Sequence, residues 1–343
     1  MLNYLKSQAY YPDGKISNQM EGCRILITGA SGLVGLNLIA SLLLARDSGT
    51  NLSIFAIVGS NRDLLIQSLD SHDIHVIQCD LGSINTILNL GMFDIIVHAA
   101  GYGQPGKFMS NKLSTITLNS TTLQKLADIL SPGGRLLFIS TSELYGCGLN
   151  NFHTESDVGT TMPQHPRACY IEAKRIGETI CEVMREKGVI AYSARLALGY
   201  GPGVWMNDQR VLNQFIQKAL VQHKIELLDS GNAVRTYCYI TNVVEMLLNI
   251  ILRGTQSVYN VGGKSKTTIK ELALLIGEQL EVSVCVPIDS IELEGAPRNV
   301  ALDLSRYGQE FGPIKFTPLT DGIMRTINWY KHILSAKAEG YEW

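Results

Sequence analysis

At 343 residues, with 45% hydrophobic and 17% charged side chains, the chain has the make-up of a globular protein with a sizeable core. Its net charge of −2 excludes the basic surface of a nucleic-acid binder. The longest apolar runs, such as Leu36–Ala45, are too short to span a bilayer.

Residues 1–21 lack the continuous apolar core of a secretory signal and read as a polar extension with room for a short helix. Seven scattered cysteines (23, 79, 147, 169, 181, 238, 285) contain no C-x-x-C pair, so reduced thiols in a cytoplasmic protein are expected. His72 and His75 have no cysteine or carboxylate cluster nearby, and no metal is expected.

From residue 22 short apolar strands alternate with helix-length segments, the pattern of βαβ units around a parallel sheet. The strands are expected at Cys23–Gly29, Leu52–Gly59, Ile74–Cys79, Phe93–Ala100, Arg135–Ser140 and Val189–Leu196. Helices are expected over Leu33–Arg46, Asp63–Leu69, Ser114–Leu130 and Tyr170–Lys187, with Ser131–Gly134 closing the third. After residue 200 the rhythm becomes irregular. The expected fold class is therefore α/β, a Rossmann-type doubly wound parallel sheet over residues 22–200, with a smaller mixed substrate-binding cap over 201–343 that is partly interleaved with it.

"TGASGLVG" (Thr28–Gly35) follows the first strand and opens a helix. Glycines at 29, 32 and 35 suit a tight turn whose backbone approaches a pyrophosphate, with the helix N-terminus donating to the phosphates. Gly29, Ser31, Gly32, Leu33, Val34 and Gly35 are thus dinucleotide-binding candidates. The second strand ends in Gly59 and Ser60, where an acid for the ribose 2′-hydroxyl is expected. Ser60, Asn61 and Arg62 could instead meet a 2′-phosphate, which favours NADP and leaves NAD open. The plainer alternative makes Arg62 a solvated residue starting the next helix.

"PRACYIEAKR" (Pro166–Arg175) places Tyr170 and Lys174 one helical turn apart. Alone, that spacing is commonplace. Taken with "HAAG" (His98–Gly101), "STSELYG" (Ser140–Gly146), "RLALGYGPG" (Arg195–Gly203), "RTYCYI" (Arg235–Ile240) and "YNVGG" (Tyr259–Gly263), in that order, the chain resembles the extended short-chain dehydrogenase/reductases of the NAD-dependent epimerase/dehydratase group, which act on nucleotide-activated sugars. The resemblance implies Tyr170 as general acid/base, Lys174 as the cation that lowers its pKa and binds the cofactor, and Thr141 as the group that orients the reacting hydroxyl. It also implies cofactor contacts at Asp80, Leu81, Ala99, Ala100 and Gly101, an asparagine (Asn119) near the site, and a diphosphate contact at Arg235. Further substrate contacts are expected at Ser142 and Arg298. A homodimer, no membrane partner, and a place in surface-polysaccharide biosynthesis complete what it implies.

The reaction itself is less determined by these residues. Hydride transfer at a sugar carbon, C4 foremost, is the common step of the epimerases, dehydratases and 4-keto reductases. "MNDQRV" (Met206–Val211) and the Thr-Ser-Glu of Thr141–Glu143 resemble UDP-glucuronate decarboxylases most, which makes Glu143 a catalytic candidate and Glu172 and Arg210 substrate contacts. Ser142 stands where the dTDP-glucose dehydratases carry a proton-donating aspartate. Against a plain decarboxylase stand the loop Gly101–Phe108 and the missing ribose acid. A rival from another class, a regulatory protein that keeps the cofactor fold without chemistry, has no need of Thr141, Tyr170 and Lys174 together.

Overall fold

A computed structural model describes residues 1–59, 68–69, 71–82, 88–146, 152–287 and 299–338. Seven strands form one fully parallel sheet: β1 (Arg24–Thr28), β2 (Ser53–Val58), β3 (His75–Gln78), β4 (Phe93–His98), β5 (Leu130–Thr141), β6 (Ile190–Leu196) and a later strand, Val258–Val261. Their spatial order is Val258–Val261, β6, β5, β4, β1, β2, β3. The chain winds outward in one direction from β1 and then in the other from β4. Ligand crevices in such sheets open at that reversal, at the carboxyl ends of the strands. Here those ends carry Gly29 and Ala99.

The central strands are apolar almost without alternation because both faces are covered by helices. In β1 and β2 every residue after the first is buried. One face carries the helices Leu33–Asp47 and Ile240–Arg253, and the other Thr121–Ala127 and Ala168–Glu186.

Two elements depart from the expected ones. The helix expected over Ser114–Leu130 is two helices, Lys112–Asn119 and Thr121–Ala127, broken at Ser120 (φ −121°, ψ −85°). Side chains compete with the backbone there: Asn119 Nδ2 donates to the Thr115 carbonyl and Ser120 Oγ to the Ile116 carbonyl. Ser131–Gly134, expected as the helix stop, lies inside β5, where the register against β4 shifts. The helix expected at Asp63–Leu69 falls mostly outside the described residues.

The amino-terminal stretch is packed rather than peripheral. Leu2 and Leu5, on one face of the helix Leu2–Gln8, are buried against Leu33–Asp47, and Lys6 pairs with Asp47 at 2.5 Å. Tyr4 stacks on His332 (4.7 Å between rings) in the last helix, Leu319–Ala338. The polar residues around this i, i+3 leucine pair hide it from a search for apolar runs.

Beyond β6 come β7 (Leu198–Tyr200), β8 (Lys224–Glu226), β9 (Val234–Tyr239), β10 (Val258–Val261, the edge of the large sheet), β11 (Ser265–Thr268), β12 (Ser283–Cys285) and β13 (Asn299–Val300). A small mixed sheet gathers around β9, which pairs antiparallel with β11 and parallel with β7 and β13. The loop after β7 is pinned from both sides. Trp205 Nε1 donates to the Ser31 carbonyl in the glycine turn, and Trp329 Nε1 to the Val204 carbonyl, each at 2.7 Å. No helix among the described residues is long and apolar enough to cross a membrane.

Candidate active site

The glycine turn is built as dinucleotide binding requires. Gly29 has φ +66°, and a Cβ there would stand 2.6 Å from the Ala99 carbonyl oxygen and 2.7 Å from Ala100 Cα. A Cβ on Gly35 would stand 2.5 Å from the Gly29 carbonyl oxygen, so the turn and helix close on each other only with glycine. Gly32 caps the helix Leu33–Asp47 with no side-chain hydrogen bond, leaving its first N–H groups available to an anion. These residues fit a nicotinamide dinucleotide. Leu81, buried after β3, has its carbonyl held by the Thr122 hydroxyl, and Asp80 accepts from the Gly82 N–H. Ser60, Asn61, Arg62 and Arg298 lie outside the described residues.

The crevice floor after β4 rests on a buried relay. Thr28 Oγ1 accepts from the Ala100 N–H (3.2 Å) and lies 2.7 Å from His98 Nδ1, while His98 Nε2 lies 2.8 Å from the Leu118 carbonyl oxygen. A carbonyl only accepts, so Nε2 carries the proton and Nδ1 accepts from Thr28. Burial pushes the His98 imidazolium down to about 4 from 6.5. The unfolded chain therefore binds this proton first, so the contribution is complete above pH 6.5 and is lost as pH falls toward about 4. The expected loss is ~3 kcal/mol, measured as denaturant unfolding at neutral pH and near pH 4; His98→Asn should flatten that dependence.

The end of β5 meets the helix Ala168–Glu186 closely because Gly177 has no side chain: a Cβ would lie 2.4 Å from Phe138 Cζ. Tyr170, buried, has Thr141 close enough to pull on its phenol and stacks on Phe108 with 4.5 Å between rings. Burial, with the nearby Glu143 carboxylate, pushes its phenol up to about 12, against the pull of Thr141, Arg167 and Arg210. Lys174 Nζ donates to the Ile139 carbonyl at 2.6 Å, 4.7 Å from the centre of the Phe138 ring. Burial pushes its ammonium down to about 7, opposed by Glu178. Thr141, Tyr170 and Lys174 thus lie together, and Lys174 is also close to Gly101: a Cβ there would stand 3.7 Å from Nζ.

A cavity of about 1140 Å³ has Glu143, Arg167, Arg210, Arg235 and Leu227 in its wall. Thr141, Tyr170 and Lys174 are not part of that wall, but Glu143, Arg167 and Arg210 are near enough to Tyr170 to act on its phenol. Glu143 Oε1 accepts from Arg167 Nη2 at 2.5 Å; burial nevertheless raises the carboxyl above its usual range. Arg210 caps the helix Val211–Gln222 and is clamped by Asp208, with Nη2–Oδ2 at 2.5 Å. Arg235, on β9, donates to the Val234 carbonyl, and burial lowers its pKa.

Two expected substrate contacts do not line this cavity. Glu172 is half exposed and pairs with Arg175 at 3.1 Å, off the cavity wall. Ser142 is buried at the start of the turn Ser142–Tyr145, next to Thr141 and, like it, off the wall. Asn119 is buried on the helix packed against Ala168–Glu186, with Oδ1 unpartnered. The sequence reading missed Arg167 as a site residue. It also missed Glu178, four residues beyond Lys174, which forms a buried pair with Arg195. The i+4 spacing from Lys174 and the arginine opening "RLALGYGPG" were the available signals.

Residues 25–262 match the family model described as the NAD dependent epimerase/dehydratase family. Among curated relatives, UDP-glucuronic acid decarboxylase 1 of Xenopus tropicalis is 30% identical over 331 residues, covering 96% of this chain and 77% of the relative. Among solved structures, UDP-glucose 4-epimerase of Thermotoga maritima superposes with a TM-score of 0.76 at 20% identity, over 91% of this chain and 99% of that one. A dTDP-glucose 4,6-dehydratase of Bacillus anthracis, in complex with NAD, gives 0.71 at 19%, over 91% and 97%. These structural likenesses carry the fold; the family match and the decarboxylase relative carry the kinship. With a fitted dinucleotide turn and the Thr141–Tyr170–Lys174 set beside it, the chain belongs to the NAD-dependent epimerase/dehydratase family.

Proposed function

We propose that the protein carries out hydride chemistry at a hydroxyl-bearing carbon, C4, of a nucleotide-linked sugar. The observation that carries this reading is the convergence of Tyr170, Thr141 and Lys174 at the end of β5, next to the crevice at Gly29. A nicotinamide dinucleotide bound in the glycine turn would supply the hydride acceptor and donor. Tyr170 holds and moves the proton of the sugar hydroxyl, and Thr141 orients that hydroxyl. A phenol near about 12 begins as a proton donor, and acting as a base requires a cation close by. Lys174, one turn along the same helix face, is that cation. The family's description names NAD, and the dehydratase structure contains it. Both support NAD as the cofactor here, and neither supports the NADP preference read from Ser60–Arg62.

The placement of Arg167, Arg210 and Arg235 with Glu143 on one wall supports a second, narrower reading, decarboxylation of UDP-glucuronate, as does the decarboxylase relative. A 4-keto sugar bearing a carboxylate on C5 readily loses carbon dioxide, and cationic walls suit so anionic a substrate. Product masses from separate incubations with NAD and UDP-glucuronate, UDP-glucose or dTDP-glucose distinguish the readings. A pentose product supports decarboxylation, and an unchanged mass with a new stereoisomer supports epimerisation. No product and no reduced cofactor from any of the three would count against both.

A homodimer is part of the proposal. Met109, Leu113 (80% exposed), Ile116, Ile176 and Val183 leave apolar surface on the helices Pro105–Ser110 and Lys112–Asn119 and on Ala168–Glu186, against which both pack. Leu113→Asp with Val183→Asp should give a monomer by light scattering; a persisting dimer would place the interface elsewhere. Six free thiols among the described residues suit the cytoplasmic location proposed with it.

A further inference from the structure

The last three residues of β5 each engage one residue of the facing helix, at four-residue intervals. The Ile139 carbonyl accepts from Lys174, the Ser140 hydroxyl donates to Glu178 at 2.6 Å, and Thr141 lies beside Tyr170. The middle contact is the least expected, because Glu178 is a buried carboxylate that the proposed chemistry does not use. It is also the most strongly held. Arg195 Nε lies 3.0 and 3.2 Å from its two oxygens and Nη2 2.8 Å from Oε2. Ser140 and Arg195 are register partners on β5 and β6, so both reach Glu178 from one sheet face. Arg195 is anchored in turn by donating to Tyr145 Oη at 3.0 Å and to the Glu155 carbonyl at 3.1 Å.

We propose that Glu178, clamped by Ser140 and Arg195, is a positioning residue for Lys174: it locks the helix to the end of β5 and supplies the negative charge that the buried Lys174 amine faces along its own helix. The surroundings leave few other candidates. Facing Lys174 are the Ile139 carbonyl and Phe138 ring from β5, the His98 ring from β4, and Gly101 beyond β4. His98 is neutral above about pH 4 and offers no negative charge. Arg195, on β6, engages the carboxylate rather than the amine. Burial alone drives the amine toward its neutral form, and Glu178 opposes that drive. A neutral Lys174 could neither stabilise a Tyr170 phenolate nor attract an anionic ligand.

The inference rests on the proposed role of Lys174, so its test includes a readout that needs no substrate. NMR of the full chain carrying isotope-labelled lysine follows the Lys174 titration directly. Glu178→Gln should move that midpoint down by about one pH unit or more, the scale of one charge at close range. The alkaline limb of product formation from UDP-glucuronate or UDP-glucose should move with it, and Glu178→Asp should restore much of the shift. Glu178→Gln leaves Arg195 without its carboxylate and could fail to fold. The double variant Glu178→Gln/Arg195→Leu removes the pair without stranding a charge and should move the midpoint in the same direction by a smaller amount, because the Arg195 charge leaves with the carboxylate. A folded variant of either kind whose Lys174 midpoint matches wild type overturns the proposal, whatever substrate the enzyme takes. A shifted midpoint with no turnover of either sugar would instead retain this inference and count against the reaction assigned above.

Discussion

Tyr170→Phe is expected to lower turnover by about 10²–10⁴-fold, the usual contribution of a positioned general acid/base. Stability should change little, by ~1 kcal/mol at most, because only the phenol oxygen beside Thr141 is removed. The ring remains to stack on Phe108, so packing is retained and the loss falls on proton transfer. Stopped assays on whichever of the three sugar nucleotides is turned over, with thermal unfolding in parallel, separate the two effects. Activity within a few-fold of wild type would remove Tyr170 from the chemistry and the reaction with it. The phenol near about 12 and the amine near about 7 sharpen what to look for. At neutral pH the phenol is protonated while the amine is poised between its forms, so the pH profile should report Lys174 before Tyr170.

The second large effect is expected at Gly29. Alanine there meets two obstacles together, a positive φ and a carbonyl oxygen 2.6 Å from the new Cβ. The Ala99 backbone can yield only by moving the floor of the crevice, which Thr28 and His98 hold in place. Strain and overpacking together should cost about 2–4 kcal/mol. Any folded protein that remains should bind NAD more weakly by at least about tenfold, since the turn must open where a pyrophosphate would sit. Isothermal titration with NAD, with unfolding measured alongside, provides the check. Wild-type affinity in Gly29→Ala would mean that this turn does not hold the cofactor.

The legible parts of the site were those written within one element. Tyr170 and Lys174 share a helix face because they lie four residues apart, and Gly29–Gly35 announces a turn because it stands between a strand and a helix. Glu172, drawn from the same helix, was assigned to substrate by resemblance, yet it sits about half a turn away from Tyr170 and meets Arg175 instead. Arg167 went unassigned although it immediately precedes that helix. Whether its side chain turns into the cavity depends on Glu143, which arrives from the end of β5.

Composition, periodicity and the order of short motifs were enough to determine the parallel sheet, the glycine turn after its first strand and the shared helix face of Tyr170 and Lys174. Those features arise from local backbone geometry and from burial on both faces of a strand, which a single stretch of residues expresses. Tertiary structure alone decided the rest. It packed Leu2 and Leu5 into the core and set Arg167, Arg210 and Arg235 on one wall from three separate segments. It also brought Ser140 and Arg195 onto Glu178 from neighbouring strands. Such contacts depend on strand order and register, which join residues far apart in sequence and leave no periodic trace in either partner.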